Sequence, residues 1–242
     1  MDFSDLKEMT YPIFNDDILH IIDDYNLWKI FNYIVENNNS NFLPYHNIRH
    51  ILHVTKAAHD IYWKRLHNEC DLCDCDDCAW ENFYSTSEEL VTASLFHDFN
   101  HSGGKLKDKE NVDIAINKMR EFFLMHTSSS DARIKRIEDI IRATEYPYSE
   151  KNNINILSEI IRDADLSQSA SDDFLFYVIG LMQETNTSLN DEDIIYSFKE
   201  IVFNTIAFNK NNKFFLEESE ELFGEKRRKN IQMLENILKY GY

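Results

Sequence analysis

The chain has 242 residues, enough to bury a substantial core, and no linker-like stretch divides it, so a single domain over residues 1–242 is expected. With 43 acidic against 25 basic residues its formal charge is -18, which sets its surface against polymeric nucleic acid, whose phosphates it would repel. Hydrophobic residues make up 43%, yet no apolar run reaches a membrane span and the N-terminus lacks a signal-peptide layout, so a cytoplasmic globular protein with no membrane partner is expected.

Only five Gly and three Pro interrupt the chain, which favours an all-α multi-helix bundle over a turn-dense β fold. Apolar residues at helical spacing over 12–37 predict two short helices broken near Asp24 to Asn26. The run Asn37 to Asn41 is a loop by composition, and a third helix is expected from Pro44, a residue suited to a first turn, to about Leu66. The polar Ser85-Thr86-Ser87 precedes a fourth helix opening at Glu88, with a capping box from Ser85 to Glu88 or Thr86 to Glu89, and ending near Asp98. After a loop at Gly103-Gly104, helices are expected at about 108–126, 131–145, 154–164, 171–185, 191–208 and 217–239, with loops at Asn186 to Asn190 and Asn209 to Asn212.

All four cysteines, Cys70, Cys73, Cys75 and Cys78, fall in an acidic insertion at about 68–84. In a reducing compartment this spacing suggests an additional structural zinc held by thiolates. Four ligands in nine positions must wrap an ion very tightly, however, and free cysteines on a surface insertion account equally well for the pattern.

Three segments carry chemistry. Tyr45-His46-Asn47-Ile48-Arg49-His50 sets two imidazoles four positions apart, on one face of a helix, where one can ligate a metal while the other moves a proton. The same helix holds His53, His59 and His67, so the pair alone is equally explained by core or exposed histidines. His97-Asp98 ends an apolar helix, where a buried carboxylate needs a compensating partner, and a divalent cation shared with the imidazole supplies one. Asp163 and Asp165 repeat the device at the end of a third apolar run. Such nitrogen and oxygen ligands suit zinc, manganese, magnesium or iron.

In this order, H…H-D…D on successive helices resembles the HD superfamily of metal-dependent phosphohydrolases. More closely, Y-H-N-x-x-H, then H-D-x-x-H followed by Ser-Gly-Gly, then A-D-L-S, over roughly residues 44–168, are similar to the catalytic domain of class I cyclic-nucleotide phosphodiesterases. The resemblance implies two divalent metal ions, with His50, His97, Asp98 and Asp165 as ligands of the first and Asp98 bridging to the second. It implies His46 as general acid, His101 beside the metal-bound waters, Tyr45 and Asn47 setting the geometry, and Glu110 hydrogen-bonded to metal-bound water. Thr144 falls in a segment similar to the family's alanine-threonine-acid string. Asp165 rather than Asp163 stands in the A-D-L-S context, which makes Asp163 a neighbour or salt-bridge partner.

The implied reaction is hydrolysis of a phosphodiester in a small nucleotide, first among them a 3′,5′-cyclic nucleotide, by a hydroxide held between the two metals while His46 protonates the leaving oxygen. Other HD activities, on nucleotides, cyclic dinucleotides or guanosine tetraphosphate, are the alternatives within enzymes, and a non-catalytic nucleotide-binding protein is the alternative outside them. The sequence departs from the family in two places: the cysteine insertion has no counterpart there, and neither Gln168, Gln183 nor Gln232 falls where the family's base-reading glutamine stands. Phe198, Phe203 and Phe208 are expected in the core rather than as a clamp on the base, and Lys105, Lys107 and Lys109 in a solvated loop.

Overall fold

The structure, a computed structural model, describes residues 16–70, 80–148, 155–185 and 191–240. Among these the chain is all-α, with no strand, and no helix is long and apolar enough to cross a membrane. The order is α1 (Asp16–Asp24), α2 (Trp28–Asn37), a 3₁₀ turn (Asn39–Phe42), α3 (Ile48–Cys70), α4 (Trp80–Phe96), α5 (Asp108–His126), α6 (Asp131–Arg142) and α7 (Ile156–Leu166). There follow a second 3₁₀ turn (Ser167–Ala170), α8 (Phe174–Thr185), α9 (Asp191–Asn211), a short α10 (Glu217–Ser219), a π-helical stretch (Glu220–Gly224) and α11 (Glu225–Tyr240).

The long helix α3 is the centre, packed against α4 and α7. It can be so because Ile51, Val54, Ala58 and Ile61 recur at three- and four-residue intervals and are all buried without remainder. Leu90, Ala93 and Leu95 of α4 and Ile160, Ile161 and Ala164 of α7 complete the contact. A smaller core, Phe174 and Val178 of α8, Val202 and Ile206 of α9 and Leu234 of α11, forms in the C-terminal part. Side-chain caps begin two helices: Ser130 Oγ accepts the N–H of Arg133 at α6, and Asn155 Oδ1 accepts that of Ser158 at α7.

Local signals misplaced several boundaries. Pro44 to Asn47 precede α3 in a bent segment because the Asn47 amide donates back to Leu43 O while its Oδ1 accepts the N–H of Arg49, which starts the helix at Ile48. His46 and His50 therefore do not share a helical face. Helix α4 begins at Trp80, not Glu88, and runs through Ser85-Thr86-Ser87, since the Ser87 hydroxyl is taken up by Tyr25 at 2.5 Å. Glu88 and Glu89 are not capping residues but pair with Arg133 and Arg136. Helix α9 continues through Asn209 to Asn211, which were expected in a loop. Cys70 closes α3, whereas Cys73, Cys75, Cys78 and the expected loop at Asn186 to Asn190 lie outside the described residues.

Two aspartates leave the end of α7 in different directions. Asp163 is wholly buried, and its carboxylate accepts the backbone N–H groups of Phe215 at 2.8 Å and Leu216 at 2.9 Å, tying the segment before α10 to the main core. Burial pushes its pKa up to about 6, against the opposing pull of those two donors. Asp163→Ala strands both N–H groups in the interior and should lower the unfolding free energy by about 2–4 kcal/mol, read by urea denaturation of metal-free protein. Asp165→Ala, at a side chain 30% exposed, should cost clearly less in the same measurement.

Candidate metal centre

The ends of three helices deliver four polar side chains to one point. His50 comes from the first turn of α3, His97 and Asp98 directly follow α4, and Asp165 stands in the last turn of α7. His50 Nε2 lies 3.2 Å from Asp98 Oδ2, 3.3 Å from Asp165 Oδ1 and 3.3 Å from His97 Nε2, and His97 Nε2 lies 3.6 Å from Asp98 Oδ2. Atoms bound about 2.1 Å from a common ion at angles between octahedral and tetrahedral stand roughly 3.0–3.4 Å apart, so the three distances from His50 Nε2 are those of a coordination sphere, with Asp165 placed by its contact to His50 alone. His50, His97 and Asp98 form a group that could hold a metal ion.

The outer nitrogens of both rings are committed. His97 Nδ1 donates to Ser94 O at 2.7 Å, and His50 Nδ1 donates to Gln168 Oε1 at 3.1 Å, which leaves the Nε2 lone pairs turned toward each other. Two buried lone pairs so close repel unless a cation sits between them. Without metal that cation is a proton. Burial alone would lower the pKa of His50, but hydrogen bonds to Asp165 and Asp98 overcome it and hold the group up to about 10. Burial likewise works to raise Asp98, yet the charge of His97 and the hydrogen bond from His50 hold it well below the ordinary carboxylate range. Asp98 and Asp165 are thus held as carboxylates, and a divalent cation that displaces the His50 proton would find its Nε2 lone pair beside them, so the donor set fits such an ion.

Beside this cluster stands a second group. His46 Nδ1 meets Glu184 Oε2 at 2.6 Å, while Glu184 Oε1 accepts the backbone N–H groups of Tyr45 at 2.5 Å and His46 at 2.8 Å. The His46 ring stacks on His101, 3.6 Å between centroids and 25° from parallel. Although His46, His101 and Glu184 lie close enough to suggest a second ion, stacked rings point their in-plane lone pairs side by side rather than at one point. Proton handling suits this group better than chelation. His101 Nδ1 accepts the N–H of Gly103 while its Nε2 lies 3.0 Å from Asn111 Nδ2, and burial drives its pKa down to about 4, so it stays neutral.

The chain matches no family model, no curated protein and no solved structure.

Glu184 carried one signal in the sequence: it is the one carboxylate in the largely apolar helix Phe174–Thr185. Helix α8 can bring it to His46 only because residue 180 is glycine, where a Cβ would sit 2.7 Å from Pro44 O. Tyr45 packs its half-buried ring edge-on to His46 and tilted over His50. Thr144 is buried with its hydroxyl on Ile141 O. Glu110 is exposed and its Oε2 accepts the N–H of Lys107, so it caps α5; the neighbouring carboxylate that faces the site's cavity is Asp108.

That cavity, about 520 Å³, opens beside His46 and Asp165 and extends between α8 and α9. Phe208 was expected in the core and instead lines it, 5.4 Å from the Tyr146 ring; Phe203 is exposed at 63%, because α9 turns Val202 and Ile206 inward.

Two predictions follow from the cluster. His50→Ala, Asp98→Ala and Asp165→Ala should each lower manganese affinity at least 10-fold, measured by metal analysis after dialysis, whereas Asp163→Ala should retain metal in the folded fraction. His53, whose pKa burial lowers to about 4, binds its proton more weakly folded than unfolded, so its contribution to stability is lost as pH falls from about 6.5 through 4. His53→Gln should flatten the acid limb of the stability profile in unfolding experiments run across that range.

Proposed function

We propose that the chain is a metal-dependent phosphohydrolase of HD type acting on a small nucleotide, with a 3′,5′-cyclic nucleotide as the leading substrate. The observation that carries this is the convergence of His50, His97, Asp98 and Asp165 with a carboxylate-backed imidazole next to them. A divalent cation bound to the four supplies Lewis acidity, which neutralises phosphate oxygens and makes water a nucleophile near neutral pH.

The chain's own groups do the rest. Glu184 accepts from His46 Nδ1, which fixes the ring and leaves Nε2 to carry the proton that goes to the departing sugar oxygen. The stack on neutral His101 holds the ring plane against rotation. A protein that only bound nucleotide would have no use for this oriented donor. Among the described residues lining the cavity there is neither lysine nor arginine, and Asp108 and Asp165 are acidic. Phosphates beyond those at the metal end would find no counter-charge, which favours a single-phosphate ligand over guanosine tetraphosphate, a cyclic dinucleotide or a nucleoside triphosphate.

The test is turnover, with manganese or magnesium, of cyclic mononucleotides, cyclic dinucleotides, deoxynucleoside triphosphates and guanosine tetraphosphate. Cyclic mononucleotides should be hydrolysed fastest; no turnover of any of them by protein with metal bound would sink the proposal. His46→Ala should lower kcat by roughly 10²–10⁴ without loss of metal, and unchanged kcat would show that His46 is not the acid. Gly180→Ala, by forcing α8 off Pro44, should reproduce part of that loss while metal content holds.

A further inference from the structure

A second cavity, of about 800 Å³, lies among the C-terminal elements, lined by the end of α9, the segment after it, the π-helical stretch and α11. It shares only Asn209 with the cavity beside His46, and no residue of the metal cluster lines it.

One wall of it is a buried cation. Arg227, in the first turn of α11, is 5% exposed. Its Nε donates to Asn209 Oδ1 at 3.2 Å, its Nη2 donates to Asn209 O at 3.0 Å and to Asn212 O, and the Phe214 ring lies 4.6 Å from its guanidinium carbon. All these partners are neutral. Among the described residues Nη1 has no hydrogen-bond partner, and no carboxylate forms an ion pair with the group. The two acids whose charge reaches it are engaged elsewhere, Glu220 with Arg228 and Asp163 with the N–H groups of Phe215 and Leu216. A guanidinium taken out of water with no anion beside it is strongly disfavoured, and the open cavity is the place left for one.

The rest of the lining sets the kind of anion. Lys213 is exposed, pairs with no acid among the described residues and brings a second free positive charge to the cavity. Lys210 and Arg228 are spent on Glu235 and Glu220. With Glu217 also present, four basic groups face three acidic ones, a surplus of one positive charge in a chain whose net charge is -18. That surplus matches one negative charge, whereas a phosphate dianion or a polyphosphate would be set against all three glutamates. Phe215 and Ile231 give the same cavity apolar walls.

We propose that this cavity is a binding site for a small monocarboxylate with an apolar body, its charge held by Arg227 and Lys213 and its body by Phe215 and Ile231. The carboxylate accepts from Nη1, the one nitrogen of Arg227 that the fold leaves unanswered. The site is independent of the proposed catalysis.

Calorimetric titration of the manganese-loaded protein with sodium benzoate tests it. Benzoate should bind with a dissociation constant of about 1 mM or tighter, and acetate, which lacks the ring, at least about 10-fold more weakly. Arg227→Gln should weaken benzoate by about 10-fold or more. Should that variant fail to fold, because Arg227 also ties Asn209 to Asn212, Lys213→Glu at an exposed side chain repeats the test and should weaken benzoate by about 5-fold or more. His50→Ala, which acts at the metal cluster, should leave benzoate binding unchanged. No binding of benzoate at about 10 mM, binding undiminished in Lys213→Glu, binding lost in His50→Ala, or tighter binding of inorganic phosphate than of benzoate by the His50→Ala protein would each overturn the inference.

Discussion

One imidazole and two carboxylates gathered round His50 Nε2, each 3.2–3.3 Å from it, make an arrangement that an apolar interior does not tolerate without positive charge at its centre. Much of the fold serves to keep it. Helices α3, α4 and α7 bury their aliphatic residues against one another along their length, and the polar groups stand at their ends, where the chain leaves the apolar layer. The side chains are then braced from outside, His97 by Ser94 O and His50 by Gln168. The cluster is rigid because each ring has one nitrogen already spoken for.

The C-terminal elements have a different task. They contribute nothing to the four-atom cluster but supply Glu184 for His46 and much of the cavity wall. What joins the two parts is a close backbone approach, α8 lying on Pro44 across Gly180, together with the Asp163 carboxylate that holds the segment before α10. Neighbouring aspartates of α7 thus divide the labour: Asp165 faces the cluster and Asp163 fastens the rest of the chain to it.

The sequence disclosed those parts whose physical reason is local. Helix positions follow from apolar periodicity, and His97-Asp98 and Asp165 stand out because a polar group that ends an apolar run must find a partner. What stayed hidden depends on contacts between distant positions. Glu184 is 138 residues from His46, and nothing near it announces that partner beyond its place as the one carboxylate of α8. The start of α4 was misjudged because Ser85-Thr86-Ser87 has the composition of a cap, while Tyr25, far upstream, makes Ser87 acceptable inside a helix. Glu110, which the resemblance set beside metal-bound water, turns back to cap its own helix, a choice that only the backbone geometry at Lys107 reveals.

The separation of the cluster from its proton-handling neighbour also orders events during synthesis. All four groups of the cluster lie between His50 and Asp165, whereas Glu184 and the α9 wall follow them. A nascent chain that has emerged through α7 carries His50, His97, Asp98 and Asp165, while His46 still lacks the carboxylate that orients it. An ion held by that cluster would therefore be in a position to template the docking of the later helices, and the proposed proton transfer by His46 would wait until α8 has brought Glu184 to it.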